Sequence, residues 1–407
     1  MTMSSAGLDD AYSTLNLGLE NKKNFDRYFV FTEASASNEL VSRFLIDKDP
    51  SKNLLTGIKG CGKTTELLRL LRELGEKYFG VFIQMRQDAD IRKVTAPDIL
   101  LSGLLHLYVN ATERGVKLKP ETVHALATWL QETHSSTKVE FADMGHEQKG
   151  LWERVRKAMG ALRAQRIRDA VQGLIEERKG DLIETMNKLI VEVEASTGKK
   201  VLLAFDDLDK LPLEKAKSIF AESGDLLSAP VCKIVYTVPY SLLHTHDFRE
   251  VSRVFKKYVN QVPVQVKGKD AKEGLAQLRD IMAKRLPLDK IDPTALDSLI
   301  VKTGGVVGDL LRCASESCIK ARTEGKEKID AKVLESVLDD LKKDASRTLG
   351  SSDCDVLSTI YKNKMSDNNE VFLRLLDEGY ILEYPGDEGK YYVHPMILPI
   401  LMERKLV

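Results

Sequence analysis

The stretch Gly57-Ile58-Lys59-Gly60-Cys61-Gly62-Lys63-Thr64-Thr65 constrains the fold more than any other part of the chain. It fits the pattern G-x-x-x-x-G-K-[ST], in which each residue type has a physical reason to be there. Gly57, Gly60 and Gly62 let the backbone take positive φ and curl. A curled backbone points successive N–H groups inward, making a cradle for phosphate oxygens. Lys63 adds a cation for the β and γ phosphates, and Thr64 offers a hydroxyl to Mg²⁺. The flanks agree. Asn53-Leu54-Leu55-Thr56 reads as a short strand entering the loop. The segment from Thr65 to Arg72 reads as an amphipathic helix leaving it, with its positive end at the phosphates.

The chain has 407 residues, enough for two or three domains and a full core. Lys+Arg and Asp+Glu are both 61, so net charge points to neither a nucleic-acid nor a membrane partner, and any basic patch must be local. The five cysteines (Cys61, Cys232, Cys313, Cys318, Cys354) form no C-x-x-C pair and give neither a disulfide framework nor a zinc site. The first residues lack the basic-then-apolar order of a secretory signal. No apolar run approaches the roughly 18 residues that span a bilayer. The expectation is a soluble cytoplasmic protein.

Residues up to about Asn24 are polar and read as loosely ordered, followed by an extended segment Tyr28–Phe31 and a helix from Ala36 to Ile46. After the loop strand come apolar runs at Val81–Met85, Val201–Phe205 and Lys233–Val238. Val262–Val266 is a possible fifth strand, with Pro263 suited to an edge. Strands alternating with helices mean a mostly parallel sheet covered on both faces, an α/β fold. The interval from about 96 to 197 carries helical patterns only and reads as an insertion in a core spanning 1–270. Residues 271–345 read as a helical lid and 346–407 as a separate small domain, joined by a linker at Ser346–Gly350. In that small domain two helical patterns precede Tyr380–Tyr384 and Tyr391–Val393, which flank the turn Pro385–Gly389. Helices followed by a hairpin make a winged helix.

The run Val201–Phe205 leads into Asp206-Asp207-Leu208-Asp209. A phosphate loop needs an acid at the end of a buried strand to hold Mg²⁺, and Asp206 fits. Asp207 is the candidate to polarise an attacking water. Asp209 is either a partner-facing acid or a plain surface charge.

This combination resembles P-loop ATPases of the AAA+/STAND group, and within it the origin-recognition-like and archaeal-type ATPases with a C-terminal winged helix. The segments that carry the resemblance are "LLTGIKGCGKTTELLRLL", "VLLAFDDLDKL", "KIVYTV", "VSRVF", "TGGVVGDLLR" and "YYVHP". It spans most of the chain but not the helical interval. The first two segments are specific for nucleotide binding; the others gain weight from their order. The resemblance implies contacts to ATP from Gly57, Lys59, Gly60, Cys61, Gly62, Lys63, Thr64 and Thr65, and Mg²⁺ held by Thr64 and Asp206. It implies catalytic roles for Lys63 and Asp207. Thr237 would sense the γ-phosphate, unless it is a polar cap on the strand end. Ser252-Arg253-Val254-Phe255 resembles the box whose arginine reaches a neighbouring subunit's nucleotide. Arg249 and a solvated helix face compete with Arg253 for that reading.

The lid departs from the pattern. Related sequences often place an arginine about three residues after the Gly-Gly pair, and here that position is Gly308. Arg312, one turn further, is either a substitute or a lid surface residue. Over 151–180 the interval carries eight bases and four acids. Arg154, Arg156, Lys157, Arg163, Arg166 and Arg168 could track phosphates, but a solvated helix face is the favoured reading. Over 351–390 there are nine acids and four bases. Net negative charge is unfavourable for a helix among phosphates, so the winged helix reads as a protein-contact or autoinhibitory module. His394-Pro395 reads as packing.

Two functions follow as expectations. The first is a Mg-ATP-binding, ATP-hydrolysing regulatory switch, with slow turnover, that forms homo-oligomers and gates a separate partner or effector. Its setting would be a prokaryotic defence or signalling system. The alternative is a DNA loader or remodeller using the basic helix.

Overall fold

The computed structural model describes residues 7–31, 35–135, 178–255, 257–268, 271–365, 367–384, 386 and 389–407. The chain divides into two compact units. One comprises Ala36–Thr56 and Glu66–Val259. The other comprises Met1–Ser35, Gly57–Thr65 and Asn260–Val407.

The first unit is built on a five-stranded sheet in the order β2-β3-β4-β1-β5. The strands are β1 (Lys52–Gly57), β2 (Tyr78–Gln84), β3 (Lys200–Asp206), β4 (Lys233–Thr237) and β5 (Lys257–Gln261). β1 to β4 pair in parallel, with Leu55 opposite Thr237 and Phe205 opposite Tyr236. Alternation within each strand sorts side chains onto two faces. Leu55, Leu202, Ala204 and Val235 meet Leu40 and Phe44 of helix Ala36–Ile46 and Leu67 and Leu70 of helix Lys63–Glu73. Leu54, Leu203, Phe205, Ile234 and Tyr236 meet helices Ala96–Glu113 and Lys179–Thr197 on the other face. Full burial of each such large side chain stabilises the fold by about 1.5–3 kcal/mol. Helix Ala96–Glu113 begins in a capping box, Thr95 and Asp98. It comes so near the sheet that a Cβ on Gly103 would lie 2.8 Å from the Phe205 ring. The interval expected as an insertion therefore begins and ends with helices that cover the sheet.

This layering sets a switch point. The helix after β1 lies on one face, whereas Val251 and Phe255, which follow β4, pack on the other. β1 and β4 are neighbours, so their continuations part there. In open α/β sheets ligands bind outside the carboxyl ends of strands at such a crevice.

The second unit holds the helices Ala271–Arg285, Pro293–Lys302, Val307–Thr323 and Ala331–Thr348, here called the lid. Helices Ser351–Asn363 and Glu370–Asp377 follow, then β6 (Ile381–Leu382) paired antiparallel to β7 (Tyr392–Val393), and helix Leu398–Glu403. Helices with a hairpin form the winged helix expected for this segment.

Four local expectations are corrected. From Gly7 onward the amino-terminal stretch is ordered: helix Leu8–Leu15 buries Leu8, Ala11 and Leu15. The guanidinium of Arg285 donates to the carbonyls of Thr14 and Leu17 at 3.0 and 3.2 Å. Tyr28 closes a helix, Lys22–Tyr28, and only from Phe29 is the backbone extended. The fifth strand is Lys257–Gln261 rather than Val262–Val266. Pro263 cannot donate to a ladder, and the N–H of Val264 is taken by the carbonyl of Gly305 at 3.0 Å. The linker shrinks to Leu349 and Gly350, because helix runs to Thr348 and resumes at Ser351. Among the described residues no helix is long and apolar enough to cross a membrane.

Candidate nucleotide site

Gly57, Gly60 and Gly62 all have positive φ, at 141°, 87° and 98°. The motif's glycines are thus used for the conformational freedom that the sequence implied. Gly57 is needed twice over, since a Cβ there would lie 2.1 Å from the carbonyl oxygen of Gln261. Beside Gly62 the space is open: among the described residues, its chain neighbours aside, no atom lies within 4 Å of where its Cβ would be. Lys63 opens helix Lys63–Glu73, and its side chain is buried. Its Nζ donates to the carbonyls of Gly57 at 2.7 Å and Ile58 at 3.2 Å. The ammonium is therefore folded into the loop's own concavity. Thr64 and Thr65 follow in the first turn of the same helix, whose orphan N–H groups suit an anion. Cys61 is buried, and burial pushes its thiol up to about 12, so it is packing rather than a nucleophile.

The lid sits on this loop. The N–H of Gly308 donates to the carbonyl of Gly60 at 2.8 Å. A Cβ on Gly308 would lie 2.8 Å from the Gly60 Cα. This accounts for the departure noted in the sequence: an arginine at 308 would have no room. Arg312 lies beside the same cavity of about 510 Å³ as Lys59 and Gly60, and is paired with Asp309 at 3.0 Å. His394 reaches Asp309 from the winged helix, Nε2 to Oδ2 3.4 Å, while its Nδ1 accepts from the Met396 N–H at 3.2 Å. Burial raises the Asp309 pKa, but His394 and Arg312 outweigh it and hold the carboxyl below its ordinary value.

The acids belong to the sheet unit. Asp206 ends β3 and is 2 % exposed. Asp207 is also buried and sits in the left-handed region at φ 71°. Its carboxylate accepts from the Arg86 N–H at 3.4 Å and pairs with Lys210. Burial works against the Lys210 charge, but Asp209, Asp207 and Asp206 together raise its pKa. Sequence reasoning passed over Lys210; the signal was its position directly after the acidic run. Thr237 is fully buried, and its Oγ1 accepts from the N–H groups of Leu208 at 3.0 Å and Asp209 at 3.4 Å. Its hydroxyl braces the acidic turn. Arg253 lies on the solvent side of helix Phe248–Val254, paired with Glu250 at 2.5 Å. The basic residues from Arg154 to Arg168 lie outside the described residues.

On the winged helix, Arg374 is the only base of helix Glu370–Asp377, and it is engaged by Asp353 and by Glu378 at 3.0 Å. Its charge is spent locally on acids.

No family model matches the chain. No curated protein matches it either. Among solved structures it is similar to the Orc1 protein of Aeropyrum pernix in complex with DNA, at 14% identity over 97% of each chain with a TM-score of 0.41. It is also similar to Cdc6p from Pyrobaculum aerophilum, at 13% identity over 97% of this chain and 98% of that one, TM-score 0.41. A third is the RuvB Holliday junction branch migration motor of Thermotoga maritima, at 13% identity over 96% and 98%, TM-score 0.38. The assignment to an α/β P-loop fold stands on the strand order, the two-faced core and the three positive-φ glycines.

Proposed function

We propose that this chain is a Mg-ATP-binding regulatory switch that hydrolyses ATP slowly. One observation carries the reading. The glycines of the loop adopt the backbone that the motif requires, directly after β1 and directly before helix Lys63–Glu73. Loop N–H groups and Lys63 would hold the phosphates. Thr64 and Asp206 supply a hydroxyl and a carboxylate, hard oxygen donors of the kind Mg²⁺ takes alongside phosphate oxygens and water. The ion's part would be to neutralise charge developing on the phosphoryl oxygens. Slow turnover is supported by Asp207, whose carboxylate is engaged by Lys210 instead of facing an open position.

The switch reading rests on the winged helix. Its single helical arginine is neutralised, its surroundings are acidic, and it suits a protein partner better than a phosphate backbone. Arg253, exposed and paired with Glu250 among the described residues, would serve a neighbouring copy in a homo-oligomer. A gated partner in a prokaryotic defence or signalling system is the finer form of this proposal.

The test is hydrolysis. Asp206→Asn keeps the shape and removes the charge, so Mg²⁺-dependent phosphate release is expected to fall by about a hundredfold or more. Turnover undiminished in Asp206→Asn would remove Asp206 from the site.

A further inference from the structure

Strand β2 stands at one edge of the sheet, with β3 as its neighbour. Its 7 residues, Tyr78 to Gln84, include no charge and no proline. An uncharged edge of that length is a template for another chain, and folded proteins as a rule blunt or cover one. In a parallel ladder the N–H and C=O of one residue face one neighbour, and those of the next face away. Lys77 fixes the phase, since its carbonyl accepts from the Lys200 N–H at 3.2 Å. The backbone of Phe79, Val81 and Ile83 therefore faces β3, and that of Gly80 and Phe82 faces outward. Among the described residues, the Gly80 carbonyl is the one of these outward groups with a partner: it accepts from the Arg114 guanidinium at 2.9 Å.

A cavity of about 440 Å³ lies beside this edge. Leu68 and Leu71 of helix Lys63–Glu73 line it, with Phe79 and Phe82 of the strand. Arg114 and Lys199 add positive charge, and among the described residues no acid lines it. Lys199 donates to the Gly75 carbonyl at 2.5 Å, and Arg114 to the Asn110 side chain at 3.0 Å. The guanidinium also stands 4.4 Å from the centre of the Phe79 ring. All these partners are neutral. Burial works against the Arg114 charge, and the neighbouring Glu113 does not make up for it, so its pKa is lowered. The two faces of the strand differ. Phe82 and Leu71 pack on the core of one face, and Phe79 belongs to that of the other.

We propose that β2 takes up an extended acidic segment of a partner protein as a further strand of the sheet. Its backbone pairs with the outward N–H and C=O groups of Gly80 and Phe82. Alternation sets its apolar side chains against Leu71 and Phe82 and its acids on the other face, where Arg114 stacks on Phe79. Arg114 then changes partners. An N–H of the incoming strand takes over the Gly80 carbonyl, and a carboxylate takes over the guanidinium, so a charge-assisted bond replaces a neutral one. Without the partner, Arg114 guards the edge. The site is made by the sheet unit alone, and it stands whether or not the loop binds ATP.

The probe is a fluorescein-labelled peptide of alternating valine and glutamate, as long as β2. It is titrated against the full chain without nucleotide and followed by anisotropy. Binding is expected at about 10–100 µM, with amide exchange at Gly80 and Phe82 slowed about tenfold. Arg114→Glu and Lys199→Glu each reverse one charge and should weaken binding by about tenfold. The two variants are independent, so the test survives if one does not fold. Of two peptides N-methylated at the valines or at the glutamates, one should fail to bind, because its methyl groups meet the strand edge. If both methylated peptides bind as well as the plain one, charge alone attracts them and the added strand is overturned. Equal affinity for wild type and both variants overturns the site, as does no binding to wild type at millimolar peptide. Protection of Gly80 and Phe82 that grows with protein concentration, with no peptide present, would give the edge to a second copy and overturn the acidic partner.

Discussion

Replacing Lys63 by alanine is expected to weaken ATP binding by about a hundredfold while leaving the fold intact. The side chain is buried, and its ammonium donates to the loop carbonyls of Gly57 and Ile58. A bound triphosphate would trade those neutral acceptors for anionic ones, and charge-assisted hydrogen bonds are roughly twice as strong as neutral pairs. Losing them is worth about 1.5–3 kcal/mol, which sets the scale of the affinity change. Stability should move far less. Alanine favours the first turn of helix Lys63–Glu73, and the two carbonyls released can turn to water, so a change of about 1 kcal/mol is expected. Titration with a fluorescent ATP analogue and guanidinium unfolding of the same preparation separate the two effects. Unchanged affinity in a folded Lys63→Ala protein would place the nucleotide elsewhere.

The second large effect concerns the fold. Gly305→Ala is expected to destabilise the second unit by about 3 kcal/mol, from two sources that add. Gly305 has φ 79°, where a Cβ costs about 1–2 kcal/mol in an L-residue. Its Cβ would also stand 1.9 Å from the Val264 carbonyl oxygen. The backbone can relieve that clash only by giving up the bond from the Val264 N–H to the Gly305 carbonyl, worth about 0.5–1.5 kcal/mol. Gly62→Ala is the internal control. Its φ of 98° is also unfavourable, but no atom lies within 4 Å of the added methyl. It should lose about 1–2 kcal/mol from the backbone alone. A Gly305→Ala protein with a wild-type denaturation midpoint would contradict the close approach of Val264 to this turn.

What could be read from the residues alone follows the range over which each signal acts. The buried strands announced themselves as apolar runs, and the loop through glycines whose spacing matches positive φ at 57, 60 and 62. Both are local patterns. The winged helix was legible for the same reason: its helices, hairpin and acidic balance all lie within one short segment. Features set by distant partners were not legible. Val262–Val266 has the composition of a strand, yet Val264 bonds to Gly305. The polar amino-terminal stretch becomes a helix because Arg285 caps its carboxyl end and Asn16 reaches Ser315 at 2.7 Å. Gly308 read as a missing arginine, and only its contact with Gly60 shows that no side chain fits. Thr237 had two readings in the sequence, and the N–H groups of Leu208 and Asp209 converge on its hydroxyl. Asp207 reads in the sequence as the candidate to polarise a water, and the ion pair that its carboxylate makes with Lys210 depends on the fold of the turn.

The most direct measurement is an equilibrium titration of the purified wild-type chain with ATP, in Mg²⁺ and in excess chelator. One nucleotide per chain is expected, bound at micromolar concentration or tighter, about −8 kcal/mol, and more weakly without the metal. No saturable binding at millimolar ATP in Mg²⁺, by a protein shown to be folded, would contradict it.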